Sequence, residues 1–180
     1  RVGDLLDGAS KSITQGNKWG SRELANACWG LSKLKVAAPE LYAAIAKEAA
    51  KKIGTFKPQE LANAAWAFAT ANVEAPQLYA AIAKAGSALF HKFSTEQLCQ
   101  LHQVLLFLKL EALDSDDDVL FSLLSENESR LRAAYLVGGP RPSRSQYEVS
   151  ACLLRLGWSH EFEHVIDKYG ISLDMARPDL

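Results

Sequence analysis

The stretch LANACWGLSKLKVAAPELYAAIAK at residues 24–47 returns at 61–84 as LANAAWAFATANVEAPQLYAAIAK. A shift of 37 positions aligns the two without a gap: Leu24 with Leu61, Asn26 with Asn63, Trp29 with Trp66, Pro39 with Pro76, Tyr42 with Tyr79, Ile45 with Ile82 and Lys47 with Lys84. An internal repeat of this length constrains the fold more than any other property of the chain. Each unit is one supersecondary piece that can bury its apolar face only against its neighbours. A weaker third copy follows, in which Phe93 succeeds Trp19 and Phe56, Leu98 succeeds Leu61, and Gln100 succeeds Asn63. Residues 1–16 resemble the tail of an earlier unit.

Each unit predicts two helices. The first spans Ser21 to Leu34 and recurs from Pro58 to Ala71. Pro58 suits the first helical position, where its missing N–H is harmless, and Ser94 with Gln97 forms a capping box at the matching place of the third copy. The second helix follows Pro39 or Pro76 and is rich in Ala, Leu and Ile, which favour helix or fill its core face. Gly54 marks the return. The expected architecture is mainly α: an α-solenoid of helical hairpins with period 37.

At 100° per residue, Leu24, Ala27, Cys28, Leu31 and Leu34 share one face of the first helix. Arg22, Asn26, Trp29 and Lys33 share the opposite face. That second face becomes Gln59, Asn63, Trp66 and Thr70 in the next copy, and Glu96, Gln100, Gln103 and Phe107 in the third. Packing alone explains a repeated apolar face, but a repeated Asn or Gln on the other face admits two roles. As a ligand surface, carboxamides read base edges while aromatic rings or Arg stack on bases, about one base per repeat. As mortar, Trp29 and Trp66 wedge between units, since Trp is usually largely buried, and the Asn side chains bond to turns. Tyr42 and Tyr79, early in the second helix, are expected to pack with a solvated hydroxyl.

Nearly half of the 180 residues are apolar, enough for a sizeable core. The net charge of −1 is unevenly spread: residues 1–110 hold 13 Lys/Arg against 8 Asp/Glu, 111–137 hold 2 against 7, and 138–180 hold 5 against 6. A mildly basic first part is compatible with an anionic partner but lacks a dense basic stripe. Cys28, Cys99 and Cys152 are odd in number and form no CxxC pair, so small buried hydrophobes in a reducing compartment are expected rather than a disulfide frame or zinc site. No apolar run is long enough for a membrane span. The chain starts without Met or a signal-peptide pattern, and is expected to be a fragment or processed form whose targeting segment lies outside it.

After the repeats, the acidic run DSDDD at 114–118 suits a helix start; it lacks the Gly and terminal Glu of an EF-hand loop. The helix it opens is expected to reach Val137 and stop at Gly138-Gly139. GGPRPSR at 138–144 is a linker. A helix is expected from Ser145 to Leu156, with Val149, Cys152, Leu153 and Leu156 on one face. Ser145 and Glu148 suggest its capping box, and Gly157 its stop. Two short strands follow: Phe162, His164 and Ile166 point one way in the first, Asp167 to Gly170 turn, and Ile171 to Met175 form the second.

HEFEH at 160–164 matches the zinc-protease signature letter for letter. That chemistry needs His160 and His164 on one helical face with Glu161 as general base. In a strand the two lie about 13 Å apart and share no metal. RPD at 177–179 resembles the acidic motif of restriction-type nucleases, whose further strand would lie past the end of this chain. No Ser/His/Asp set or phosphate-binding loop is visible.

The string FKPQELANAAWAFATANVEAPQLYAAIAK resembles the octotricopeptide and FAST-kinase-like helical repeats of organellar RNA-binding proteins. The string PSRSQYEVSACLLRLGW…HEFEHVIDKYGISLDMARPDL is similar to the beginning of a RAP domain, through Tyr147, Glu148, Val149, Leu156, Gly157, Gly170 and Asp174. The resemblance divides the chain into a repeat region at 1–137, a linker at 138–144 and the N-terminal part of a small α/β, RAP-like module at 145–180. It implies binding of single-stranded RNA in a chloroplast or mitochondrion, acting on transcript stability, processing or translation. A RAP domain resembles the restriction-endonuclease fold, and its acidic strand would follow the last residue here.

The expected function is therefore single-stranded RNA binding without catalysis, cofactor or metal, and with neither a membrane nor a small-molecule substrate as partner. Arg22, Asn26, Trp29, Lys33, Gln59, Asn63, Trp66 and Gln100 would form the RNA-binding stripe. A protein-interaction scaffold is the alternative. A metal-dependent hydrolase or nuclease, resting on His160, Glu161 and His164 or on Asp174 and Asp179, is a third class.

Overall fold

The computed structural model describes residues 2–15, 19–110, 119–137, 144–166 and 171–176. Among them the chain is mainly helical: α1 Val2–Thr14, α2 Ser21–Lys33, α3 Pro39–Lys52, α4 Pro58–Thr70, α5 Pro76–Leu89, α6 Thr95–Leu110, α7 Val119–Glu126, α8 Glu128–Val137 and α9 Arg144–Arg155. Strands β1 Glu161–Ile166 and β2 Ile171–Ala176 pair antiparallel, with Glu161 opposite Ala176 and Ile166 opposite Ile171.

Local chemistry sets the helix ends where the sequence places them. Pro39, Pro58 and Pro76 each open a helix, where the fixed φ is already helical. The backbone N–H of Lys57 donates to Glu60 Oε2 at 2.7 Å. At α6 the predicted capping box forms in both directions, Ser94 N–H to Gln97 Oε1 at 3.0 Å and Gln97 N–H to Ser94 Oγ at 3.4 Å. Helices α2 and α4 end in the same Schellman turn. Lys35 N–H bonds Ser32 O and Val36 N–H bonds Leu31 O; 37 residues on, Asn72 bonds Ala69 and Val73 bonds Phe68. Lys35 and Asn72 accordingly take left-handed φ of 52° and 50°.

The helices stack in two layers. Helices α2, α4, α6 and α8 pack in succession, as do α1, α3, α5 and α7. The core lies between the layers, with Leu24, Leu61 and Leu98 at matching positions, all buried. Ala25, Ala62, Ala64, Ala65 and Ala67 are buried too, and their small side chains let neighbouring helices approach closely. Tyr42 meets Phe68 edge-on with ring centroids 5.2 Å apart. Burial pushes the Cys28 thiol up to about 12 and the Tyr42 phenol up to about 12.

Several expectations need correction. Leu34 is 77% exposed, whereas Ala25 and Ser32 are buried. Leu34 caps α2 where the chain turns away, and a helix covered by both α3 and α4 buries a wider arc than one stripe. The Tyr42 hydroxyl is buried rather than solvated. The helix expected to run to Val137 is broken into α7 and α8. Asn127 makes the break: its carbonyl takes the N–H groups of Arg130 and Leu131, and its side chain donates to Leu123 O at 2.8 Å. Cys28 is buried, but Cys99 is half-buried and Cys152 exposed, within reach of Arg155. Ser145 lies inside α9, and Glu148 pairs with Arg144 at 3.1 Å instead of closing a capping box. On α9, Ser150 is buried while Val149 is exposed, as is Leu156 just past its end. Gly157 does stop that helix, at φ +79°. The acidic run at 114–118, most of the linker (138–143), the turn at 167–170 and the motif at 177–179 lie outside the described residues.

Candidate nucleic-acid interface

The layer formed by α2, α4 and α6 carries the repeated stripe. Arg22, Asn26 and Lys33 on α2 and Gln59 on α4 are exposed; Asn63, Trp66 and Gln100 are half-buried. Trp29 is 38% exposed.

Hydrogen bonds tie this stripe from unit to unit. Asn63 Oδ1 accepts from Gln59 Nε2 at 2.9 Å and from Gln100 Nε2 at 3.2 Å. Gln97 Nε2 donates to Gln59 Oε1 at 3.1 Å, and Trp66 Nε1 donates to Gln103 Oε1 at 2.7 Å. Two of these bonds span 37 residues, so they join equivalent positions of neighbouring units. The carbonyl oxygen of Gln100 is buried and has no hydrogen-bond partner among the described residues.

The α2 end of the stripe differs. Trp29 faces position 66, where an indole can donate but not accept, so the bond that secures Trp66 has no counterpart there. Instead the Lys33 ammonium sits 5.5 Å from the centroid of the Trp29 ring and 4.8 Å from that of Trp66. A cation over two indoles is worth about 0.5–1 kcal/mol at an exposed site. It also brings two indole rings and a positive charge together.

The structure thus divides the predicted residues by job. Gln59, Asn63, Trp66 and Gln100 are brought together and spend polar groups on holding α4 to α6. Arg22, Asn26, Trp29 and Lys33 leave most of their chemistry to solvent. Two members of the network were not among the predicted site residues. Gln103 stands 37 residues after Trp66, a spacing that marks it. Gln97 was read only as a cap, and the sequence carries no signal for its second bond.

Elsewhere, His160 is engaged by its own neighbourhood: Nε2 pairs with Ser150 Oγ at 2.8 Å, Nδ1 with Trp158 O at 3.2 Å, and its ring stacks on Trp158 at 5.1 Å. Residues 161–166 form a strand, so the helical geometry that a His-Glu-x-x-His zinc site needs is not formed there. No family model matches the chain, and neither a curated protein nor a solved structure matches it.

Proposed function

We propose that the chain is an RNA-binding repeat protein that takes single-stranded RNA along the α2–α4–α6 face. Its helical hairpins are read as an octotricopeptide-like α-solenoid of period 37, followed by the start of a small α/β, RAP-like module. The observation that carries the reading is the Trp29–Lys33–Trp66 cluster beside exposed Arg22 and Asn26. Aromatic faces for stacking, a cation beside them and a free carboxamide are the groups that grip unpaired bases and phosphate. In this account Asn26 bonds a base edge, Trp29 stacks, and Arg22 and Lys33 meet phosphate. Asn63, Gln59, Trp66 and Gln100 hold the surface in shape and offer the edges that their mutual bonds leave over. In this reading the RNA is a chloroplast or mitochondrial transcript, as the resemblance of the repeats implies.

The test is fluorescence anisotropy of labelled single-stranded RNA pools at low and near-physiological salt. Two phosphate contacts predict a log–log salt slope of about −1.4. Salt-sensitive binding that Arg22→Ala weakens supports the reading. A well-folded chain that ignores RNA at low salt refutes it and moves the face to the protein-scaffold alternative, which the near-neutral net charge favours.

A further inference from the structure

Side-chain carboxamides and one backbone amide form a relay across α4 and α6. Ser94 N–H donates to Gln97 Oε1 at 3.0 Å. Gln97 Nε2 donates to Gln59 Oε1 at 3.1 Å, and Gln59 Nε2 donates to Asn63 Oδ1 at 2.9 Å. Gln100 Nε2 reaches the same oxygen at 3.2 Å. A carboxamide has an accepting end and a donating end, and its partners decide which way it points. Here the first partner is a backbone N–H, which only donates. It fixes Gln97 with its oxygen toward Ser94; Gln97 then fixes Gln59, and Gln59 fixes Asn63. Turning Gln97, Gln59 or Asn63 alone would set donor against donor.

Asn63 is the last link, and both side-chain bonds it makes use Oδ1. Its Nδ2 makes no hydrogen bond among the described residues and is not one of the buried polar atoms left without a partner. On this half-buried residue the Nδ2 group therefore keeps contact with solvent, and what Asn63 turns outward is donors rather than acceptors. The α2 unit lacks the relay. There the counterpart of Gln97 is Glu60, whose carboxylate only accepts, and the counterpart of Gln59 is Arg22, whose guanidinium only donates. Exposed Asn26 can turn either end outward.

We infer that Asn63 is a specificity-determining residue that takes an acceptor edge of a base, choosing guanine O6 and N7 over the N6 amino group of adenine, and that Gln97 is the positioning residue that sets its polarity from α6. The inference rests on the RNA reading above and names the base chemistry that reading leaves open. Both purines stack alike, so the choice between them falls to the hydrogen-bonding edge.

The test is fluorescence anisotropy with two labelled single strands: an oligoadenylate, and the same strand with every third base replaced by inosine. Inosine exchanges the N6 amino group for a carbonyl and shares the O6 and N7 edge of guanine. The parent chain should bind the inosine strand at least about fivefold more tightly. Gln97→Glu copies Glu60, which accepts the Lys57 N–H at 2.7 Å, so the cap at Ser94 is kept. The second carboxylate oxygen can only accept, which turns Gln59 and then Asn63 end for end and brings Oδ1 outward. The preference should reverse, while the added charge weakens both strands alike. Asn63→Ala should abolish the preference. Circular dichroism checks that each variant is folded. Binding of a mixed RNA pool without preference between the strands, or a preference that Gln97→Glu leaves unchanged, overturns the relay and spares the RNA reading. A preference kept by Asn63→Ala assigns the choice to another residue and overturns it equally. Silence of the folded parent toward the pool and both strands overturns both.

Discussion

The indole nitrogen of Trp66 donates to Gln103 Oε1 at 2.7 Å, a partner 37 residues further along the chain. This bond joins α4 to α6 through equivalent positions of two units, one of them changed from Trp to Gln so that it can accept. Gln103→Leu should leave a half-buried donor unpaired and cost about 1–2 kcal/mol in urea denaturation. In a Trp66→Phe background the same substitution should cost far less. An undiminished loss there would assign the effect to packing instead.

The two repeated asparagines should behave differently. Asn63 accepts two side-chain bonds, whereas Asn26 is exposed. Asn63→Ala should lower stability by about 1–2 kcal/mol, and Asn26→Ala by no more than about 0.5 kcal/mol. Thermal or chemical unfolding of both checks this. Equal losses would erase the division between mortar and open surface.

Lys35 holds a left-handed φ of 52° at the end of α2, a conformation that a side chain with Cβ adopts reluctantly. Lys35→Gly should therefore stabilise the fold by about 0.5–1 kcal/mol, read as a rise in the urea midpoint at constant slope. A fall would mean that the lysine side chain makes a packing contribution larger than its backbone cost.

Alkaline pH should destabilise the fold through two buried acids. Burial raises Cys28 from 9.0 to about 12 and Tyr42 from 10.0 to about 12. The unfolded chain therefore loses these protons first. The stability they contribute is full below about pH 9 and is lost as pH rises toward 12. Cys28→Ala, which copies Ala65 one unit on, should flatten that decline. A thiol reagent at neutral pH should modify exposed Cys152 quickly and Cys28 only on unfolding. Rapid labelling of Cys28 in the native state would contradict its burial.

The hairpins were legible in the sequence because prolines, capping residues and a 37-residue echo all pointed to the same boundaries. The strand pair at 161–176 was legible from its alternation. What escaped depended on single side chains acting across space. Asn127 splits an apolar run by capping a new helix, although the run itself has helical periodicity throughout. Ser32 is buried because α3 and α4 together cover more of α2 than one stripe, which a single-helix wheel does not anticipate. The Tyr42 hydroxyl loses water for the same reason. The stripe itself was foreseen, but not that its α4 and α6 members bond to one another while its α2 members stay open. That distinction turns on position 103 accepting where position 66 can only donate.

The most direct test of the account is RNA anisotropy with Trp29→Ala/Lys33→Ala beside the parent chain, with unfolding curves for both. Both residues lie at the open end of the stripe, so their loss should cost stability by no more than about 1 kcal/mol. The account predicts at least about tenfold weaker RNA binding, from one lost stacking platform and one lost phosphate contact. Unchanged RNA affinity in a folded double variant would contradict it.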